Sequence, residues 1–520
     1  MPSTKTKQLA IQILAVWASL LSYSFVRSPV PAINEPHYLT KARHFVEPEW
    51  CDRDLFVSSR DAHVVFLQLM GPIAQHSLLT AAITGRLVGY LVLAVGWVLL
   101  LNCYLHDRWA CVLSLWVLMV IVTIGNFSGE WIIGGIESKI PAFGFALASL
   151  ALLINRHSIT AHCCAGCLAG LAVSLHPVVG GWNIVAIGLV LVTARVIEKR
   201  PIPFGSLSAF GIGSIVCSLP GLIPALRLVT VKSEHSQTAN FIQVFGRLRH
   251  HLDPMDFPVQ SWVMYLILGI TFVALLRLQR RNENAPDKFW NNQNNVLLRN
   301  YIIATLLIAL VGLAIGFGPR PAGKMPYYEI RAALLKFYPF RLFDIALPIA
   351  VSILMVGVFS KLFAEKSTIF RRRIVIALAV AVITTLIAPN KDRYPGRMSR
   401  AKRTDWLEAC AWANANIRSD AVVLTPSRSF AFKWYAQRAE FVNYKDCPQD
   451  ADGIMEWNTR LGQIHDWASD QYDDRKYSAG DLNILKDQYG ITHLLVDHLG
   501  PMSMAPDFEN RFYRLYEIRD

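Results

Sequence analysis

Eleven apolar runs decide what this chain can fold into. Uncharged stretches extend from Leu9 to Val26, Leu87 to Leu105, Trp109 to Gly125, Val178 to Ala194, Ile202 to Leu226, Tyr301 to Phe317 and Ile374 to Pro389. Less clean runs are Ile140 to Ile154, Ala161 to Leu175, Ser261 to Leu276 and Leu342 to Phe359, the last with Asp344 near its end. Each is close to the ~17 to 25 residues that carry a helix across hydrocarbon. A chain of 520 residues with 53% hydrophobic and 17% charged residues and a mean hydropathy of +0.33 is too apolar for a soluble enzyme of this size. The sequence therefore predicts an α-helical polytopic membrane protein with about eleven transmembrane helices.

Lys5 and Lys7 precede the first run, but Arg27-Ser28-Pro29 follows it with no small-residue cleavage site, so it reads as a retained first span. Alternate loops carry Arg108, then Arg156, then Arg195, Lys199 and Arg200, then Arg277, Arg280 and Arg281, then Lys366 and Arg371 to Arg373. By the positive-inside rule these loops and the N-terminus are cytoplasmic, and the tail ends outside. From Lys391 onward the tail has 18 Lys+Arg against 20 Asp+Glu, so the net charge of +13 sits in the membrane part. That basicity reports topology and contact with an anionic bilayer and implies no nucleic acid. Nine cysteines give no disulfide framework; Cys163, Cys164 and Cys167 fall in an apolar run, where small residues serve helix packing.

The division expected is a membrane domain over 1–390, with a first outer loop over 27–77, and an outer α/β domain over 391–520. In the loop, Leu39 to Val46 and Ala62 to Met70 have helical apolar spacing and suit amphipathic helices on the membrane surface. The long outward loop Leu228 to Gln260 holds Lys232, His235, Arg247, His250, His251 and Asp253. In the tail, helices are expected over Asp405 to Ile417, Gly453 to Trp467 and Gly480 to Tyr489. Strands are expected over Ala421 to Thr425, Glu440 to Tyr444 and His493 to Asp497. With no glycine-rich phosphate loop and no nucleophile elbow, the tail is assigned no catalysis.

The ionisable residues of the outer loops carry the functional reading. Glu35 and Asp54, with His37, Asp52, Asp61 and His63 near them, stand where a carboxylate can take a proton from a hydroxyl or hold a divalent cation against a phosphate. The plainer reading is solvated loop charges and helix caps. Glu137 and Lys139 offer a further acid and a phosphate-binding lysine, or an interfacial ion pair. His176 before Pro177 reads either way. Lys336 and Arg341, both just before Asp344, fit snorkelling or an anionic headgroup.

These segments resemble the GT-C superfamily of integral-membrane glycosyltransferases. Asn34-Glu35-Pro36-His37-Tyr38 resembles the acidic start of that family's first outer loop, Asp52-Arg53-Asp54 the further acidic element, and Glu137 the second-loop acid. In the tail, Trp412 to Ile417, Ala421 to Pro426 and Tyr489 to Asp497 resemble the outer domain that follows such cores in bacteria. Asn34 stands where the family usually has an acid. The resemblance implies inverting transfer of a sugar from a polyprenyl-phosphate donor to a glycan, lipid or protein acceptor outside the bacterial inner membrane. Glu35 or Asp54 would be the base, with Glu137 as a further acid. Lys139, Lys336 and Arg341 would meet the donor phosphate, with His37, Asp52 and His176 in support. A divalent cation at Asp54 is allowed but not required. The rivals are a transporter, ranked second because no internal repeat and no charge deep within a run is visible, and a non-catalytic envelope protein.

Overall fold

The computed structural model describes residues 4–519 apart from His106, Arg108, Asn126, Arg156, His157, Arg200, Pro201, Val231, Lys232, the segment 282–292, Ala364, Glu365 and Asp473. The loop cations Arg108, Arg156, Arg200 and Lys232 thus lie outside the described residues, as does the side chain of Arg280.

Each of the eleven runs falls on a helix. The first ten helices in chain order are α1 (Thr4–Arg27), α2 (Glu35–Val46), α3 (Leu55–Ser58), α4 (Val64–His76), α5 (Leu78–Leu101), α6 (Ala110–Ile124), α7 (Lys139–Asn155), α8 (Ile159–Leu175), α9 (Pro177–Val196) and α10 (Phe204–Thr230). Further long helices span Val259–Arg281, Gln293–Gly316, Arg341–Leu362 and Thr368–Ile387. Among the described residues seven helices are long and apolar enough to cross a bilayer by length and composition, and α6, α7 and α8 are shorter apolar helices. Thr368–Ile387 carries Arg371, Arg372 and Arg373 at its start. The chain is an integral membrane protein. α2 and α4 lie in the first outer loop, where amphipathic helices were expected, and pack on each other.

Small residues bring the spans together. A Cβ on Gly96 of α5 would stand 2.0 Å from the Gly144 carbonyl of α7, and one on Gly166 of α8 would stand 2.2 Å from the Phe210 carbonyl of α10. Backbone contact of this kind replaces the hydrophobic driving force that lipid cannot supply between helices. One charge does sit deep in a span, contrary to expectation: Arg86 lies within α5 and is fully buried. The uncharged run begins at Leu87, one residue past it, but the helix starts at Leu78.

The tail is a five-stranded sheet in the order β2-β1-β3-β5-β4, with β1 (Val422–Leu424), β2 (Ala439–Glu440), β3 (His493–Val496), β4 (Phe508–Glu509) and β5 (Arg514–Glu517). β1 runs parallel to β2 and β3, while β5 is antiparallel to β3 and β4. The period-two alternation of strand side chains builds two cores. Val423 and Leu495 pack with Trp406, Cys410 and Phe432 on one face. Val422, Leu424, Leu494 and Val496 pack on the other with Trp457, Trp467 and Leu485. That second core also contains Trp50, Cys51, Phe56 and Val57 of the first outer loop, so the tail is closed by a piece of the membrane domain.

The expected helices appear as Arg400–Asn416, Ala451–Asp470 and Ala479–Tyr489. The last begins at a Ser478/Asp481 capping box and ends at Gly490, whose φ of 67° is the left-handed conformation of a C-terminal glycine. The expected strand over Glu440 to Tyr444 shrinks to Ala439–Glu440. After the Phe441 amide bonds Val423, the chain leaves the sheet and Tyr444 bonds Ser427 instead.

Candidate functional site

Two buried carboxylates fix the second outer loop, residues 125–138 between α6 and α7. Asp344, in the first turn of Arg341–Leu362, accepts hydrogen bonds from the Ser128 amide and hydroxyl and from the Glu130 amide, each at 2.9 Å, and from the Phe127 amide and the Tyr265 hydroxyl. Glu35, at the start of α2, holds the other end by accepting from the Ile136 amide at 2.8 Å. Its two oxygens also take a bidentate pair from Arg86 at 2.7 and 2.8 Å and the Ala32 amide at 2.7 Å. The remaining Arg86 nitrogen donates to the Ser28 carbonyl at 2.7 Å.

Between these anchors the loop presents its own acids to two cations. The Lys139 Nζ lies 2.8 Å from Glu130 Oε1 and 3.1 Å from Glu137 Oε2, above the Trp131 ring. The second Glu130 oxygen is 2.5 Å from Arg341 Nε. Arg341 stacks on Tyr338, with its other nitrogen 3.0 Å from His176 Nε2. Glu137 Oε1 accepts from the Asn34 amide at 2.6 Å. The elements bringing these groups together are α2 (Asn34 caps it), the second outer loop, the α8–α9 junction, where His176 accepts from the Val179 amide, and the start of Arg341–Leu362.

All of these groups are largely buried, so the site's charges interact at low effective dielectric. Burial works to raise the Glu130 carboxyl, but Arg341 and Lys139 overcome it and hold Glu130 below its ordinary value. Burial, helped by His63, Arg341 and Lys139, pushes His176 far down, so it stays neutral. Burial lifts the Tyr38 phenol well above its usual range, with Glu137 adding to the effect and Arg341 opposing it. An arginine and a lysine converging in a dry cluster, each on a carboxylate it can exchange, form a site suited to an anion such as a phosphate.

The structure therefore brings Glu137, Lys139, Arg341 and His176 into one cluster and places the other nominated residues elsewhere. Asp54 is the N-cap of α3, accepting from the Phe56 and Val57 amides at 3.0 and 3.1 Å, and its second oxygen meets the Glu440 amide at 3.0 Å and Lys433 at 3.1 Å. With Glu35 and Asp54 saturated by donors, neither has a lone pair directed at a substrate, which departs from the expectation that one of them is the base.

The same saturation leaves Asp54 a poor cation ligand. Among the described residues no group of three His, Cys, Asp or Glu stands close enough to hold a metal ion. His37 bonds Asp446 at 3.1 Å, Asp446 bonds Lys433 at 2.7 Å, and Lys433 also holds Glu440 at 2.9 Å. His37 is thus part of a seam between the first outer loop and the tail. Asp52 is exposed. Lys336 donates to Asn240 at 3.0 Å and does not join the Lys139–Arg341 cluster.

Sequence reasoning did not nominate Glu130, Arg86, Tyr38 or the tail's contribution. Glu130 shares a short loop with Glu137, which was the available signal. Arg86 was legible as a lone cation in an apolar helix, which requires a buried carboxylate partner. Nothing local marks Lys445, whose Nζ donates to the Ile33 carbonyl and which burial pushes down to about 8 with Asp446 and Glu137 opposing.

Residues 404–464 match a domain of unknown function, DUF6798. No curated protein matches the chain. Among solved structures the chain is similar to the apo form of the oligosaccharyltransferase of Archaeoglobus fulgidus, at 12% identity and a TM-score of 0.43, over 95% of this chain and 69% of that one. It is also similar to apo ArnT from Cupriavidus metallidurans, at 11% identity and a TM-score of 0.40, over 99% of this chain and 98% of that one.

Proposed function

We propose that the protein is a GT-C-type glycosyltransferase that moves a sugar from a polyprenyl-phosphate donor onto an acceptor hydroxyl at the outer face of a bacterial inner membrane. One observation carries this reading: Lys139 and Arg341, each held by a buried carboxylate, converge at the outer ends of the spans beside the acid Glu137. The donor's phosphate would replace Glu130 in its ion pairs with Lys139 and Arg341, and the cations would stabilise the charge that grows on the phosphate as it leaves. Glu137, with two partners where Glu35 has four, is the acid that accepts the proton of the attacking hydroxyl. The acceptor oxygen forms its bond to the anomeric carbon as the bond to phosphate breaks, which inverts that centre. The orientation rests on Arg195, Lys199, Arg277, Lys366 and Arg371 to Arg373, all near helix ends opposite to those carrying the cluster.

The test is purified protein in bilayer discs with a panel of polyprenyl-phosphate sugars, with binding and transfer measured separately. Expected are donor binding and transfer by the parent, binding without transfer by Glu137→Gln, and weak binding by Arg341→Ala. A parent that binds no donor in the panel overturns the reading.

A further inference from the structure

Glu137 is only 3% exposed in its side chain and is hemmed by Asn34 and Lys139, so a proton it accepts has no direct route to water. Resting on the transferase reading, we infer that His63, oriented by Asp61, is the proton-relay residue that returns Glu137 to its ionised form between turnovers.

The histidines near the cluster differ in what their nitrogens do. Both nitrogens of His176 are occupied, Nδ1 accepting from the Val179 amide and Nε2 lying 3.0 Å from the Arg341 guanidinium. His251 bonds the Ser128 carbonyl, and burial beside His250 holds it down to about 3. His37 is engaged by Asp446. His63 is different. Its Nδ1 lies 2.9 Å from Asp61 Oδ1, and no hydrogen bond engages its Nε2 among the described residues.

A carboxylate on Nδ1 fixes the tautomer with the proton on that nitrogen, leaving the Nε2 lone pair open. It also stabilises the imidazolium that forms when Nε2 takes a proton. Asp61 is itself secured by the His63 amide at 2.6 Å and by Lys41 at 3.5 Å. Burial would raise its carboxyl, but Lys41 and His63 hold it far below the ordinary range, so it stays ionised.

The imidazole stands at the edge of the cluster. Its ring is 4.8 Å from that of His176, the ligand of Arg341, and 5.7 Å from that of Tyr38. Tyr38 in turn lies within electrostatic reach of Glu137, Arg341 and Asp61. The charged and titratable groups facing His63 are thus Asp61, Lys41, Tyr38 and His176, with Arg341 and Lys139 behind His176. In the relay the Glu137 carboxyl loses its proton and becomes the carboxylate, the proton passes by way of the Tyr38 hydroxyl or a water to His63 Nε2, and the imidazolium, whose side chain is 10% exposed, releases it to solvent. No redox change or co-reactant is required.

The experiment compares the first turnover with later ones, using a polyprenyl-phosphate sugar that the parent transfers, in discs, for His63→Ala and His63→Gln. A relay predicts that one equivalent of product forms at the parental rate and that later turnovers are slowed roughly 10-fold or more. Added imidazole should speed the slow phase of His63→Ala. Parental steady-state rates in both variants overturn the relay and leave the transferase reading intact. Equal slowing of both phases without an imidazole effect overturns it in favour of a purely structural His63. Equal slowing that imidazole reverses makes His63 the first proton acceptor in place of Glu137. A parent that transfers nothing removes the transferase reading and the relay with it.

Discussion

Glu35 and Glu137 belong to neighbouring outer loops and are buried to nearly the same degree, yet their surroundings differ in kind. Four donors from Arg86, Ala32 and Ile136 fill Glu35, so its charge is spent on holding the backbone of the second outer loop. Glu137 shares Lys139 with Glu130 and accepts one hydrogen bond from the Asn34 side-chain amide. A buried carboxylate is therefore assigned by its remaining bonding capacity rather than by its depth or its place in a motif. Saturated pairs shape the loop, and partly engaged ones keep bonding capacity in reserve.

The comparison breaks most readily at its structural side. Glu35→Gln leaves the buried Arg86 guanidinium without a counter-charge and should destabilise the protein by about 3 to 5 kcal/mol, read as a large fall in thermal unfolding temperature. Replacing both partners, as in Glu35→Leu with Arg86→Met, should recover much of the loss. A stable Glu35→Gln protein that binds donor but lacks transfer would instead return Glu35 to the role of base. Next in size, Glu137→Gln should leave the unfolding temperature near the parental value and lower transfer by roughly 100-fold. Arg341→Ala should weaken donor binding by about 1.5 to 3 kcal/mol, the contribution of a charge-assisted contact. Titration calorimetry or surface capture of a labelled donor would measure it.

A smaller effect concerns the seam to the tail. Burial works to raise Asp446, but Lys433 and His37 hold it far below the ordinary carboxyl range. Its folded-state pKa is thus depressed, so the stability it contributes is complete above the unfolded value of about 3.9 and is lost as pH falls below it. Hydrogen exchange at β1 and β2 should accelerate as pH is lowered through about 4, beyond the intrinsic pH dependence of exchange, and Asp446→Asn should remove that acceleration. The smallest expected effect is at exposed Asp52. Asp52→Cys should change stability by less than about 0.5 kcal/mol while adding a thiol that an impermeant maleimide labels only from outside the cell. Labelling only from the cytoplasm would invert the orientation.

The membrane fold was legible because each span is written locally, as a run of apolar residues of bilayer length. Glu137, Lys139, His176 and Arg341 were legible as ionisable residues at the outer ends of those runs. What sequence could not supply was partnership. Nothing near Glu35 or Asp54 reveals that Arg86 and Lys433 saturate them, since those contacts join residues distant in the chain. The tail's last two strands, Phe508–Glu509 and Arg514–Glu517, escaped because charged residues bound them, leaving Phe508 alone and Leu515-Tyr516 as the longest apolar stretch, unlike the apolar runs of β1 and β3.

The docking of Trp50, Phe56 and Val57 into the tail's core bears on how the protein is made. Asp54 and its partner Glu440 lie 386 residues apart, so the loop that carries Asp54 is made long before the sheet that covers it. Those aromatic and aliphatic side chains wait uncovered while the remaining spans are made. The acid Asp344 that secures the second outer loop also arrives late, with the helix Arg341–Leu362. A chain that ends before Arg341 therefore carries most of the spans but lacks both the arginine of the cluster and the carboxylate that secures its loop.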